Sequence, residues 1–139
     1  MLKGGILNGQ LLRVLGETGH KDLLLVSDAG MPLPKDVERV DLSLVPGIPA
    51  YTDVLQAVVD DIMVEKAFLA EEVKTISPKM HAKILEILKP TGCEIEYVPH
   101  VELKQIMQTT RACIRSGEFT GYANVILQAG VSYGGDAER

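Results

Sequence analysis

The 139-residue sequence lacks several things, and each absence closes off a class of function. Cysteine occurs only at Cys93 and Cys113, both inside apolar stretches. That excludes a disulfide scaffold and reads as reduced, buried cysteine serving as a small hydrophobe. His20, His81 and His100 are the only histidines and lie far apart; no pair has ligand spacing, so no metal site is expected. The net charge of -5 leaves no basic footprint for nucleic acid or an anionic membrane. No apolar run approaches the roughly 18 residues of a membrane span. Asn8, Gln10 and Arg13 interrupt the N-terminal apolar residues before they reach the length of a signal-peptide core. A cytoplasmic location is the expectation.

The familiar cofactor and nucleophile motifs are missing as well. Gly4-Gly5 and Gly9 follow no strand and precede no Gly-Lys-Ser/Thr, so neither a dinucleotide fingerprint nor a phosphate loop is present. There is no Gly-x-Ser-x-Gly elbow, and neither cysteine has an evident histidine partner in the sequence. No internal repeat or low-complexity segment occurs. What remains is acid/base chemistry without a cofactor.

The residues that are present suit a folded protein, with 46% hydrophobic and 24% charged. The length suits one domain spanning 1–139. A mean hydropathy of +0.13 is rather apolar for a small monomer and favours a homo-oligomer. Asn8 can cap a helix from Gly9 or Gln10, with Leu11, Leu12, Leu15 and Thr18 on one face. Gly19 is placed to end it in a left-handed conformation. Leu23 to Val26 is a continuous apolar run, the pattern of a strand covered on both faces. Gly30, Pro32 and Pro34 make Asp28–Pro34 a loop.

A second strand is expected over Val37–Leu44 and a loop at Pro46–Pro49. A helix capped by Thr52 or Asp53 follows, then a strand over Ile62–Ala70 whose pattern Glu65 and Lys66 disturb. Ser77-Pro78 starts a helix that Pro90 and Gly92 end. Cys93–Val98 is a strand, and Pro99-His100 leads into a helix to about Gln108. Arg111–Arg115 reads as strand or helix extension, Ser116–Glu118 as a turn, Val125–Leu127 as the last apolar run, and Gly134–Arg139 as a frayed tail. Alternating strands and helices make an α/β fold.

In such folds ligands gather at the carboxyl ends of the strands. Asp28 directly follows the first strand, and His100 follows the strand Cys93–Val98. If those strands are parallel, both project from one edge. His20 lies just past a helix end, where the macrodipole favours the imidazolium. Each also has a plainer reading. His20 could bond the last helix carbonyls, Asp28 could close an Asx turn before Gly30, and His100 could stand in for a helix cap. His81 reads as a solvated surface residue, Tyr51 and Tyr122 as core or rim, and Tyr122-Ala123-Asn124 as a possible strand lead-in.

The chain resembles the ribose pyranase and fucose mutarotase family over essentially its whole length. The likeness is carried by Lys3-Gly4, Leu7-Asn8, Gly19-His20, Asp28 to Pro34 and Val64-Glu65-Lys66-Ala67 leading to Glu71-Glu72-Val73-Lys74. It continues through Ile114 to Glu118, Tyr122 to Leu127 and Ala129-Gly130-Val131. The resemblance implies a three-layer α/β/α fold with a mostly parallel mixed sheet. It also implies an enzyme that interconverts pyranose and furanose forms of D-ribose, with His20 as proton donor and sugar contacts from Asp28, His100, Tyr122, Ala123 and Asn124. It implies pentameric rings paired into a decamer with sites near subunit boundaries. The fucose branch tends to carry Asp-Ala-His where this chain has Asp28-Ala29-Gly30, so the glycine points to ribose. A fucose mutarotase and a non-catalytic sugar-binding accessory of ribose transport are the rival readings. The pyranase reading expects His20 and Asp28, eight positions apart, to converge on one sugar-sized hollow.

Overall fold

The computed structural model describes residues 1–135 and 138. The elements run α1 (Gly9–Glu17), β1 (Leu23–Ser27), β2 (Glu38–Asp41), α2 (Tyr51–Asp61), β3 (Val64–Ala70), α3 (Val73–Ile76) and α4 (Pro78–Leu88). A 3₁₀ turn over Lys89–Thr91 precedes β4 (Glu94–Val98), α5 (His100–Met107), β5 (Ala112–Arg115) and β6 (Val125–Ala129). The tail expected to fray over Gly134–Arg139 falls at Asp136, Ala137 and Arg139 outside the described residues.

The strands form one sheet in the order β2-β5-β1-β6-β3-β4. β5 pairs in parallel with β1 and β2, and β3 with β4, while β6 is antiparallel to β1 and β3 and joins the two groups. The five strands other than β6 therefore point the same way, which is the mostly parallel mixed sheet expected. Leu24, Leu25 and Val26 are all buried because each face of β1 meets a different layer. Leu24 and Val26 pack with Leu11 and Val14 of α1, Leu55 and Val58 of α2 and Ile84 of α4. Leu25 faces Leu103 and Met107 of α5, with Met31 and Leu33 from the loop after β1. The three layers are unequal, with helices α1 to α4 on one side and α5 with a loop on the other.

Several boundaries move from the sequence expectation, each for a local reason. Asn8 caps α1 as expected, its side chain accepting the Leu11 N–H at 2.9 Å. Gly19 is not the left-handed residue; Lys21 is, at φ 74°. The Asp22 carboxylate accepts the Gly19 N–H at 2.8 Å and closes a turn there. Lys21 N–H reaches Ala129 O at 2.9 Å, which docks the turn on β6. Helix α2 starts ahead of Thr52 and Asp53 because the Glu118 carboxylate accepts the Tyr51 N–H at 3.1 Å. Ser77 starts α4 without capping it; its hydroxyl donates to Gly121 O at 2.7 Å. Helix α3 is an unforeseen single turn, β2 keeps only Glu38–Asp41 of the expected Val37–Leu44, and Ala112–Arg115 is a strand.

Among the described residues, the sheet's one register shift falls in strand β3. Val64 pairs with Ala129 and Lys66 with Gln128, so Glu65 is an extra residue at a β-bulge. The bulge resets the alternation. Val64 and then Ala67 and Leu69 all reach the same core, which strict alternation from position 64 would forbid. That is why Glu65 and Lys66 disturb the strand pattern in the sequence.

Candidate active site

The antiparallel course of β6 brings its leading residues to the carboxyl edge of the other strands. Val125 pairs with Val26, so Tyr122-Ala123-Asn124 lies beside Asp28 just past the end of β1. The two polar side chains form a reciprocal pair. Asp28 N–H donates to Asn124 Oδ1 at 3.1 Å, and Asn124 Nδ2 donates to Asp28 Oδ2 at 2.9 Å. Gly30 N–H donates to Asp28 Oδ1 at 3.0 Å, so the Asx turn is present as well. Asn124 and Ala123 are fully buried, and neither lines the hollow described below. Burial pushes the Asp28 carboxyl above its ordinary value, against the hydrogen bonds from Asn124, Gly30 and Met31 and the nearby His100.

His100 is the first residue of α5, one residue past the end of β4, and arrives at the same edge because β4 runs in the same direction as β1. Its N–H is held by both oxygens of Glu72, at 2.8 and 3.2 Å. Pro99, and not His100, occupies the cap position. The imidazole meets the Tyr122 ring edge-on with centroids 5.0 Å apart. Tyr122 adopts a left-handed backbone, φ 62°, a conformation costly for a non-glycine residue and often found at functional sites. Burial, then Lys104, pushes His100 protonation below its ordinary value, opposed by Glu72 and Asp28. Its Nδ1 is buried without a hydrogen-bond partner. Such a nitrogen costs free energy until something donates to it or accepts from it.

Beside Asp28 opens a hollow of about 460 Å³, lined also by Gly30, Arg115, Glu118, Phe119 and Thr120. This lies within the range of small-molecule sites. Arg115 Nε donates to Ala29 O at 3.0 Å and its Nη1 pairs with Asp41 at 3.0 Å, which pins the loop wall. A roomier hollow of about 610 Å³ lies between the end of α2 and the 3₁₀ turn and touches none of the candidate residues.

His20 is not with them. It precedes β1, so it stands at the opposite edge of the sheet, where β6 ends and β3 begins. The expected convergence of His20 and Asp28 within one chain is therefore overturned, because five residues of extended strand separate them, roughly 16 Å at about 3.3 Å per residue. His20 borders its own hollow of about 370 Å³ with Thr18, Met63, Val131 and Tyr133 among the walls. Its Nε2 lies 3.1 Å from Glu65 Oε2. Glu65 Oε1 is held by Lys21 Nζ at 2.6 Å and Gln128 Nε2 at 2.5 Å. Lys21 first, then Gln128, hold the Glu65 carboxyl down to about 2.

The remaining candidates fall out plainly. Tyr51 is core, its hydroxyl donating to Val26 O at 3.1 Å. His81 is not freely solvated; its Nε2 lies 2.6 Å from the Tyr97 hydroxyl. Cys113 is buried and Cys93 half-buried. Sequence reasoning assigned no role to Glu65, Glu72 or Glu118. All three lie within the motifs that carry the family resemblance, and Glu65-Lys66 also stands out as a charged pair inside an otherwise apolar strand. Among the described residues no group of acidic, histidine and cysteine side chains could hold a metal ion, and no helix is long and apolar enough to cross a membrane.

The sequence is 46% identical to a D-ribose pyranase of Lactobacillus gasseri, over 96% of this chain and all of the relative. The Bacillus subtilis RbsD structure, complexed with D-ribose, superposes with a TM-score of 0.90 at 41% identity, covering 96% of this chain and 100% of that one. A Streptococcus pneumoniae fucose mutarotase in complex with L-fucose shares the fold, with a TM-score of 0.82 at 21% identity over 95% of this chain and 100% of that one. The sequence model of the RbsD / FucU transport protein family matches residues 1–132, and the chain belongs to that family.

Proposed function

We propose that this chain is a D-ribose pyranase, which interconverts the β-pyranose and β-furanose forms of D-ribose in cytoplasmic ribose catabolism. The observation that carries this reading is the polar cluster of Asp28, Asn124, His100 and Tyr122 at the carboxyl edge of the sheet. It occurs in a chain whose relatives of similar length bear the name D-ribose pyranase. Residues 1–139 act as one pyranase-like domain.

The chemistry asks for little more than these groups. A cyclic sugar is a hemiacetal; opening it puts a proton on the ring oxygen and removes one from the anomeric hydroxyl. Reclosure through a different hydroxyl reverses both transfers. General acid/base assistance supplies about 10²–10⁴-fold, and holding the open aldehyde for attack adds orientation. His20 gives the proton to the ring oxygen, and a water takes the one that leaves the anomeric hydroxyl. Asp28, made a better acceptor by burial, takes a hydrogen bond from a sugar hydroxyl. His100 and Asn124 orient further hydroxyls, Tyr122 packs beside the ring, and the small Ala123 lies between Tyr122 and Asn124. No cofactor or metal enters.

The active site is assembled between copies, with His20 of one subunit completing the Asp28 hollow of the next. Two features support this. His20 and Asp28 lie at opposite sheet edges of one chain. Each half is flanked by exposed apolar residues: Leu44, Val45, Ile48 and Phe119 on the Asp28 side, Met63, Val131 and Tyr133 on the His20 side. Different patches meeting head to tail generate a ring. Pentameric rings paired into a decamer are the proposed assembly. NMR exchange between ribose ring forms tests the function. The protein should raise the exchange rate above background, more for ribose than for fucose, and His20→Ala should abolish the rise. Exchange left at background would reduce the protein to a sugar binder.

A further inference from the structure

We infer that Glu65 is the positioning residue for His20 and assigns its Nδ1 as the nitrogen that passes the proton to the sugar. The inference rests on His20 being the proton donor. Three independent features place Glu65 for the task. The β-bulge gives β3 one extra residue at position 65, the device by which strands re-aim a side chain beside a site. Gly130 gives it room: a Cβ there would lie 3.3 Å from Glu65 Cβ and 3.7 Å from Glu65 Oε2. Lys21 and Gln128 occupy Glu65 Oε1 at 2.6 and 2.5 Å, which leaves Oε2 to face the imidazole at 3.1 Å. The left-handed backbone at Lys21 is part of the same turn.

The consequence follows from counting donors and acceptors. An ionised carboxylate only accepts, so the ring nitrogen against it carries a proton in both protonation states. Neutral His20 is then the Nε2–H tautomer. When the ring is charged, the second proton sits on Nδ1, on the side away from Glu65, and it is this proton that moves to the ring oxygen. The imidazole regains a proton at the same atom when the ring recloses.

Glu65→Gln is the informative variant because it keeps the shape. A glutamine at 65 has one acceptor oxygen. If that oxygen faced His20, its amide group would meet Lys21 Nζ donor to donor, and Gln128 would have to turn its own amide oxygen inward. The oxygen therefore turns to Lys21 and Gln128 and the amide N–H turns to His20, which forces the neutral ring into the Nδ1–H tautomer. Nitrogen-15 NMR of the His20 ring should show Nε2–H in the native protein and Nδ1–H in Glu65→Gln. Exchange measurements should show kcat lowered on the order of tenfold to a hundredfold with KM within about twofold. Adding Glu65→Gln to His20→Gln should slow nothing further.

A native ring protonated on Nδ1, an unchanged tautomer in Glu65→Gln, or equal losses in the His20→Gln and native backgrounds would each overturn the positioning role. Full exchange activity in His20→Gln would instead overturn His20 as proton donor. The two failures are thus read separately, and the NMR spectrum reports whether each variant is folded.

Discussion

His20 and Asp28 stand at the two ends of β1, one before its first residue and one after its last. The strand that links them in sequence also keeps them apart in space. In the proposed ring the separation becomes useful, because a subunit that offers the histidine at one edge and the carboxylate at the other would serve two neighbours at once.

Subunit mixing should make this visible. His20→Ala and Asp28→Ala proteins are each expected to lack exchange activity. Refolded together at equal amounts, they should recover activity at roughly a quarter of the native sites, those pairing an intact His20 edge with an intact Asp28 edge. No recovery in mixed oligomers of confirmed composition would show that the two groups do not share a site.

His100 should matter to binding more than to fold. Its Nδ1 is buried without a partner, and on the proposed reading a sugar hydroxyl would satisfy it, relieving a cost that the free protein bears. Replacing His100 by Phe removes that atom and should weaken ribose binding by about 1–2 kcal/mol, near tenfold or somewhat more. Calorimetric titration with ribose measures it, and unchanged affinity would rule the contact out.

Stability should fall with mild acid. Burial pushes His100 and His81 below the ordinary histidine value of 6.5. As pH falls through 6.5 the unfolded chain takes up protons before the folded one does, so stability declines until the lower folded values are passed and is flat above 6.5. Urea unfolding at about pH 7.5 and pH 5 should show a smaller acid loss for the His81→Gln, His100→Gln double variant than for the native protein. An equal loss would assign the acid sensitivity to other groups.

Gly117 is confined by backbone. A Cβ at this position would lie 2.3 Å from Ile48 O and 2.5 Å from Ile48 C, and neither atom belongs to a side chain that can swing away. The segments are also tied by Gly47 N–H to Gly117 O at 2.7 Å and Gly117 N–H to Pro49 O at 2.9 Å. Gly117→Ala should cost about 1–3 kcal/mol or more, read as a lowered urea midpoint. Gly30→Ala, where the nearest atom is Asp28 Oδ1 at 3.8 Å, should leave stability nearly unchanged and serves as the control.

Much of this molecule is legible from residue order. The unbroken run Leu23 to Val26 demands cover on both faces, so a strand held between two layers follows from the hydrophobic effect alone. Asn8, Pro78 and Gly92 mark their helix ends through local geometry that needs no distant partner. His20, Asp28 and His100 were likewise recognisable as chemistry-bearing residues beside element ends.

What only the tertiary structure decided depends on contacts between distant segments. The start of α2 waits on Glu118, 67 positions away. The clamp on Asp28 comes from Asn124, 96 positions on, and the support for His20 comes from Glu65, 45 positions on. Strand direction settled the largest question, because an antiparallel β6 carries Asn124 to Asp28 and leaves its far end with His20. Pairing direction is set by the packing of the whole sheet, and no short window of sequence encodes it.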